Sequence, residues 1–226
     1  MTQALPDVTV VITACVEHEL ARQAILDTLD QISPAAVHIW SNRRLDFDSE
    51  WFEVDFKNLD EVAWCLWTRI PREIKTSHYL TIQWDGWVLD GKLWNPSWLD
   101  LDYIGAPWPW HRHEHRVGNG GFSLRSAEMG RFLANSVSRF PPKHPEDDTL
   151  CRHYRPELER MGFCWASPST AARFAFEREP TREAFGFHGL FNWPYIMPRA
   201  SLDKRVALAG SYVRSKSEWR ELMVLV

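Results

Sequence analysis

Apolar and polar positions along the first 90 residues switch between a two-residue and a 3.6-residue period. The switch predicts strand, helix, strand, helix, strand. Val8-Thr9-Val10-Val11-Ile12-Thr13 is a β-branched run that ends in small residues. Ala21, Ile25, Leu29 and Ile32 follow at helical spacing, and Ser33-Pro34 stops that helix. Val37-His38-Ile39-Trp40 is a second short strand, followed by a polar loop from Ser41 to Arg44. Asn58 with Glu61 three residues on makes a capping-box pattern. Leu59, Val62, Ala63, Leu66, Trp67 and Ile70 then mark one helical face, and Pro71 ends it. Trp64 and Trp67 are expected on the face that the core buries. Tyr79-Leu80-Thr81-Ile82 is a buried strand that runs into Gln83-Trp84-Asp85-Gly86.

Strands alternating with helices imply a parallel sheet with helices on its faces. Ligands of such sheets bind at the carboxyl ends of the strands, where Thr13, Asn42 and Asp85 are expected. The second half is less regular. Short strands are expected near Tyr103-Ile104 and Gly121-Phe122-Ser123-Leu124-Arg125, and helices over about 127–137 and 149–161, the latter stopped by Gly162. Phe163-Cys164-Trp165-Ala166 reads as a further strand.

The length of 226 residues, with 45% apolar content, suits one α/β domain over 1–226. A net charge of −4 argues against a nucleic-acid partner, which requires a clustered basic face. No apolar run reaches transmembrane length. The first residues lack the basic and apolar regions of a secretory signal, so a cytoplasmic protein is expected. Cys15, Cys65, Cys151 and Cys164 are too dispersed for a disulfide framework or a structural zinc site. The 13 Trp are the unusual number. Most are expected as core filler, while a minority could wall a sugar site with flat apolar faces.

Several segments could carry chemistry. In Gln83-Trp84-Asp85-Gly86-Trp87, a carboxylate after a buried strand could hold a divalent cation and through it a diphosphate, although an Asp in a tight turn fits the spacing equally. Val117-Gly118-Asn119-Gly120-Gly121-Phe122-Ser123-Leu124-Arg125 is a loop whose backbone can approach a substrate closely. It lacks the GK[ST] of a Walker loop and enters a strand rather than a helix. The three carboxylates of Pro145-Glu146-Asp147-Asp148 precede a helix and either cap it or supply a base for an acceptor hydroxyl. His188, in Phe185-Gly186-Phe187-His188-Gly189, could ligate a metal or serve the structure alone. The run from His111 to Arg116 reads as a loop that contacts an anionic or sugar substrate rather than as a metal cluster.

The order of these segments resembles the GT-A glycosyltransferases. The layout is closest to the fringe and β1,3-glycosyltransferase group, with a strand-terminal Asp, Asp-Tyr-Ile-Gly-Ala-Pro at 102–107, Gly-Asn-Gly-Gly-Phe-Ser-Leu-Arg at 118–125, Pro-Glu-Asp-Asp at 145–148 and Phe-His at 187–188. A more specific likeness is to an uncharacterised family of bacterial and eukaryotic proteins with Gln-x-Asp, Asp-Tyr-Ile-Gly-Ala-Pro-Trp and Val-Gly-Asn-Gly-Gly-Phe-Ser-Leu-Arg segments. The resemblance covers about residues 8 to 190.

It implies a GT-A-like fold with a nucleotide-binding half at about 8–115, an acceptor half at 116–198, and a C-terminal helix or tail at 199–226. It implies a nucleotide-sugar donor, a saccharide or glycoconjugate acceptor, and inverting transfer in polysaccharide or glycoconjugate synthesis. Asp85 and His188 would hold Mn²⁺ or Mg²⁺, Asp147 would be the base with Glu146 as runner-up, and Gly120 and Gly121 would floor the donor sugar and acceptor. Thr13 would contact the base or ribose. Gln83 stands where the group has the first Asp of its DxD, and an uncharged side chain there makes the metal weakly held or dispensable.

Two rival readings are a carbohydrate-binding module without catalysis and a nucleotidyltransferase. The acidic run at 146–148 favours an enzyme over the first, and the absence of a basic glycine-rich loop after the first strand disfavours the second. The basic and apolar residues of 199–226 read as a packed helix, with peripheral contact to an anionic membrane as the alternative.

Overall fold

Both faces of the central strands are apolar, so helices must cover both. The computed structural model describes residues 2–111 and 115–226. Strands β1 (Gln3–Ala14), β2 (Ile32–Ser41), β3 (Glu50–Glu53) and β4 (His78–Ile82) run parallel. With β5 (Tyr103–Gly105) and β6 (Ser123–Ser126) they form a six-stranded sheet in the order β3-β2-β1-β4-β6-β5. Strand β6 is antiparallel to both neighbours. This is the expected single α/β domain with a mostly parallel sheet between helices.

Successive strand residues point to opposite faces. Val10, Ile12, Ile39, Leu80 and Ile82 pack with Ala21 and Ile25 of helix α1 (His18–Gln31). Val11, Trp40 and Tyr79 pack on the other side with Leu66 of α2 (Leu59–Thr68) and Ile70 of α3 (Ile70–Glu73). The Asn58 side chain accepts from the Glu61 N–H at 3.0 Å, as the capping pattern predicts. Three details differ from expectation. Ile32, expected in the first helix, opens β2 instead, and Ser33 and Pro34 lie in that strand rather than in a stop before it. Helix α2 breaks at Arg69, and Pro71 lies in the first turn of α3, where its missing N–H is harmless. Trp67 is buried, but Trp64 is 51% exposed. One residue past Ala63 is about 100° around the helix, off the buried stripe.

In the second half, the sequence pattern blurs. The helix expected from Thr149 starts at Glu146 as α5 (Glu146–Asp148) and continues through a π-helical turn, Thr149–Tyr154, into α6 (Arg155–Arg160). The three carboxylates therefore form its first turn instead of preceding it. Helix α4 (Ala127–Asn135) follows β6 directly. The segment 163–166 makes only a bridge from Trp165 to Tyr103, because β5 is three residues long and offers little to pair with. Helix α7 (Pro168–Phe174) and the short parallel strands β7 (Ala175–Phe176) and β8 (Gly186–Phe187) follow.

Beyond α8 (Trp193–Ile196), the C-terminal residues form α9 (Arg199–Leu208), α10 (Ser211–Arg214) and α11 (Ser217–Leu225). Leu202, Val213 and Leu222 enter a core with Leu20, Trp87, Phe187 and Trp193. Arg205 pairs with Asp27 and lies 3.8 Å from the centre of the Trp87 ring. The segment is thus packed on the domain, as its apolar spacing suggests. Among the described residues no helix is long and apolar enough to cross a membrane.

A buried polar chain joins sheet to helix. The Thr81 and Ser123 hydroxyls lie 2.7 Å apart, and Arg125 Nε donates to Ser123 Oγ at 3.0 Å. Both Arg125 terminal nitrogens donate to the Glu146 carboxylate. Arg125 is 2% and Glu146 6% exposed. Burial works against the charged guanidinium, but Glu146 outweighs it and holds the Arg125 pKa above its usual range. Removing one member of such a pair strands the other charge. Glu146→Gln or Arg125→Met is therefore expected to lose about 3–5 kcal/mol in urea unfolding, while Arg125→Met with Glu146→Leu recovers most of it. A single variant within 1 kcal/mol of the parent would contradict this role.

Candidate functional site

The sheet order places β2 on one side of β1 and β4 on the other. The chain's crossovers diverge there, and a crevice opens at the carboxyl ends of β1 and β4. Two adjoining cavities of about 270 and 170 Å³ occupy it. They share Leu59, Val62, Gln83, Trp84 and Tyr212. Gln83, Asp85, Gly120, Gly121, Glu146, Asp147 and His188 line the larger. Thr13 lines the smaller, at the end of β1. Residues singled out from segments far apart in sequence therefore meet in one cleft.

Three backbone segments converge to build its floor. Gln83 and Gly86 exchange backbone hydrogen bonds of 3.2 and 3.1 Å, which folds the residues after β4 into a tight turn with Asp85 near its tip. The Asp85 carbonyl accepts from the Gly189 N–H at 2.9 Å, and the Asn192 side chain donates to the His188 carbonyl at 2.8 Å. These contacts tie the turn to the segment after β8. A side chain at Gly121 would enter the His188 ring, so only glycine lets the loop lie against the imidazole. Asn119 holds the loop from within: at φ 69° its side chain accepts from the N–H groups of Gly121 and Phe122.

His188 Nε2 lies 3.4 Å from Asp85 Oδ1 and 3.3 Å from Gln83 Oε1. Its Nδ1 lies 3.6 Å from Glu177 Oε1. Burial disfavours charge on the ring, but the Asp85 and Glu177 carboxylates outweigh it and the pKa is pushed up to about 10. Asp85 Oδ1, Glu177 Oε2 and His188 Nδ1 are buried without a hydrogen-bond partner, so the two carboxylates keep lone pairs unused. Among the described residues no group of three or more His, Cys, Asp or Glu is arranged to hold a metal ion. A divalent cation at Asp85 and His188 would have to take its remaining ligands from substrate phosphates and water.

The two acidic candidates differ in how they are held. Glu146 spends its carboxylate on Arg125. Asp147 Oδ2 accepts from the Gly120 N–H and Oδ1 from the Asp148 N–H, both at 2.9 Å. Each Asp147 oxygen retains a lone pair for a bound hydroxyl. Asp148 turns outward to Arg152 and His153. Asp102, in the 102–107 segment, is also structural: it accepts from the Ser126 hydroxyl and from the Cys164 N–H.

Some expectations fall outside the cleft. Asn42 hydrogen-bonds His18 at 2.7 Å and lines neither cavity. Of the 111–116 run, residues 112–114 lie outside the described residues, and His115 faces Glu159 at 3.7 Å. Among the described residues, Trp84 is the only Trp lining the two cavities, so the tryptophans chiefly fill the core. Sequence reasoning missed Glu177, Phe191, Tyr212, Lys216 and Glu218, which also line the cleft. None stands in a recognisable motif, and only the folded chain brings them there.

The fold itself has solved relatives. A glycosyltransferase involved in the glycosylation of the major capsid of the virus PBCV-1 superposes with a TM-score of 0.52 at 12% identity, over 89% of this chain and 99% of that one. An active-site mutant of LgtC superposes with a TM-score of 0.45 at 14% identity, over 95% and 99%. The first shows a shared fold. No curated protein matches the sequence. Residues 46–188, more than half of the chain, match the model of a family described as a protein of unknown function, DUF5672, and the chain belongs to that family.

Proposed function

We propose that this chain is a glycosyltransferase that moves a sugar from a nucleotide-sugar donor to a hydroxyl acceptor with inversion. The observation that carries the reading is the meeting of Asp85 and His188, the Gly120-Gly121 floor and Asp147 in one switch-point cleft. A fold shared with a glycosyltransferase supports it. The smaller cavity at Thr13 would take the nucleoside and the larger the diphosphate, the sugar and the acceptor. Donor contacts then come mainly from residues 8–115 and acceptor contacts from 116–198.

Asp147 is better suited than Glu146 to take the acceptor proton, because its charge is not neutralised by Arg125. Its two backbone hydrogen bonds fix the carboxylate beside the glycine floor, so the deprotonated hydroxyl attacks the anomeric carbon from a set direction. Asp85 and His188 would hold a divalent cation with the diphosphate; when bound, that ion offsets charge on the leaving group. Gln83, which contacts His188, adds a hydrogen bond but no charge, so the bound diphosphate must contribute much of the ion's coordination.

Asp147→Asn keeps size and one acceptor oxygen but cannot take the proton. Release of nucleoside diphosphate from the donor in the presence of acceptor should fall about 10²-fold or more, with donor affinity close to the parent and only the modest loss of stability that one lost backbone hydrogen bond brings. Full turnover in this variant would reject Asp147 as the base.

A second expectation concerns pH. The free imidazole is protonated below about 10, and a metal requires it neutral, so metal uptake must release a proton. Mn²⁺-dependent binding of nucleoside diphosphate should therefore strengthen as pH rises from 6 to 8, approaching about tenfold per unit for one released proton. Calorimetry in buffers of different ionisation enthalpy measures that proton. Asp85→Ala should abolish the Mn²⁺-dependent part of binding. Unchanged affinity in Asp85→Ala with Mn²⁺ would remove the metal assignment.

A further inference from the structure

The larger cavity is rich in negative charge. Asp85, Glu146, Asp147, Glu177 and Glu218 all line it, and among the described residues Lys216 is the only Lys or Arg that does. Arg125 is spent on Glu146 behind the wall. A diphosphate entering this cavity needs a compensating cation besides whatever Asp85 and His188 hold.

Lys216 is placed to supply it. Its ammonium rests 4.3 Å from the centre of the Tyr212 ring, and among the described residues it has no carboxylate partner. A cation in a cleft with five carboxylates, yet bound to none of them, keeps all three N–H donors available. Tyr212 lines both cavities, so Lys216 lies beside the junction where a nucleoside would meet its phosphates.

The fold holds this arrangement in place. Glu17, the third residue of the loop after β1, accepts from the Gly210 N–H at 2.8 Å and the Val213 N–H at 3.1 Å. It does so from a left-handed backbone conformation, φ 53°, which a residue with a side chain adopts at a cost. A side chain at Gly210 would meet the Glu17 carboxylate at 2.8 Å. The start of α10 is thereby clamped to the carboxyl end of β1, the strand that also carries Thr13 into the smaller cavity. Both Tyr212 and Lys216 lie outside the family-matched segment 46–188.

We propose that Lys216 binds the diphosphate of the donor, and that the C-terminal segment is therefore part of the donor site as well as packed on the core. The inference rests on the nucleotide-sugar reading above. Calorimetry with UDP, GDP, CDP and dTDP in the presence of Mn²⁺, each beside its parent nucleoside, tests it. The parent protein should bind at least one nucleoside diphosphate. Lys216→Gln should weaken that diphosphate about ten- to hundredfold, leave the nucleoside within about twofold and leave the melting temperature unchanged, and Lys216→Arg should restore most of the affinity. Parental diphosphate affinity in Lys216→Gln would overturn the assignment of Lys216 and leave the functional reading intact. Equal losses for nucleoside and diphosphate would also overturn it, by showing a structural role. Failure of the parent to bind any of the four diphosphates would overturn both the assignment and the reading it rests on.

Discussion

The cleft depends on one buried ion pair, Arg125 with Glu146. Arg125 belongs to β6, which is hydrogen-bonded to β4, and Glu146 opens the helix that carries Asp147. The pair fixes that helix against the sheet. Asp147 then reaches the Gly120 N–H, and the glycine loop is pressed onto His188. Two charges out of water are costly by themselves, and a hydrophobic pair of similar volume could stabilise as well. What the ion pair adds is geometry: two parallel donors meeting two acceptors fix an orientation that apolar packing would leave freer. The chain Thr81–Ser123–Arg125–Glu146 thus transmits strand register to the position of the acidic turn.

The electrostatics of the cleft follow from that frame. Carboxylates face the cavity from the turn after β4, from α5, from Glu177 and from α11. His188 sits between two of them and is held as a cation by Asp85 and Glu177. An acidic pocket with few fixed cations repels a bare diphosphate. It suits a diphosphate that arrives with a metal ion and meets a lysine. The same acidity suits the removal of a proton from an uncharged hydroxyl, which is the second half of the proposed reaction.

Much of this was legible in the sequence, for physical reasons. Strands β1, β2 and β4 carry two-sided apolar runs, and the Asn58 cap marks its helix, because local patterning and tertiary burial agree there, whereas β3 (Glu50–Glu53) has no such run and went unread. The cleft-lining residues Gln83, Asp85, Gly120, Gly121, Asp147 and His188 were singled out from strand ends, glycine density and motif order. What escaped was decided by long-range packing. Trp64 shares its helix with Trp67 yet faces solvent, because it lies one position past buried Ala63 and off the stripe. Glu146 looks as good a base as Asp147 until Arg125, 21 residues away, is seen to occupy it. Tyr212 and Lys216 lie in a C-terminal segment with little local signal, and their place is set by Glu17, nearly 200 residues earlier.

Glycosyl transfer requires the cleft to be a nucleotide-sugar site, and ligand-induced stabilisation tests that requirement directly. A ligand that binds only the folded protein raises the melting temperature by mass action. Melting curves of the parent chain with UDP-, GDP-, dTDP- and CMP-sugars, and with free saccharides, each with and without Mn²⁺, compare the rival ligands under one readout. The account predicts that at least one diphosphate-linked sugar raises the melting temperature, that Mn²⁺ enlarges the shift, and that free saccharides leave it unchanged. Stabilisation by free saccharides with no response to any nucleotide sugar would contradict the account and identify a carbohydrate-binding module instead.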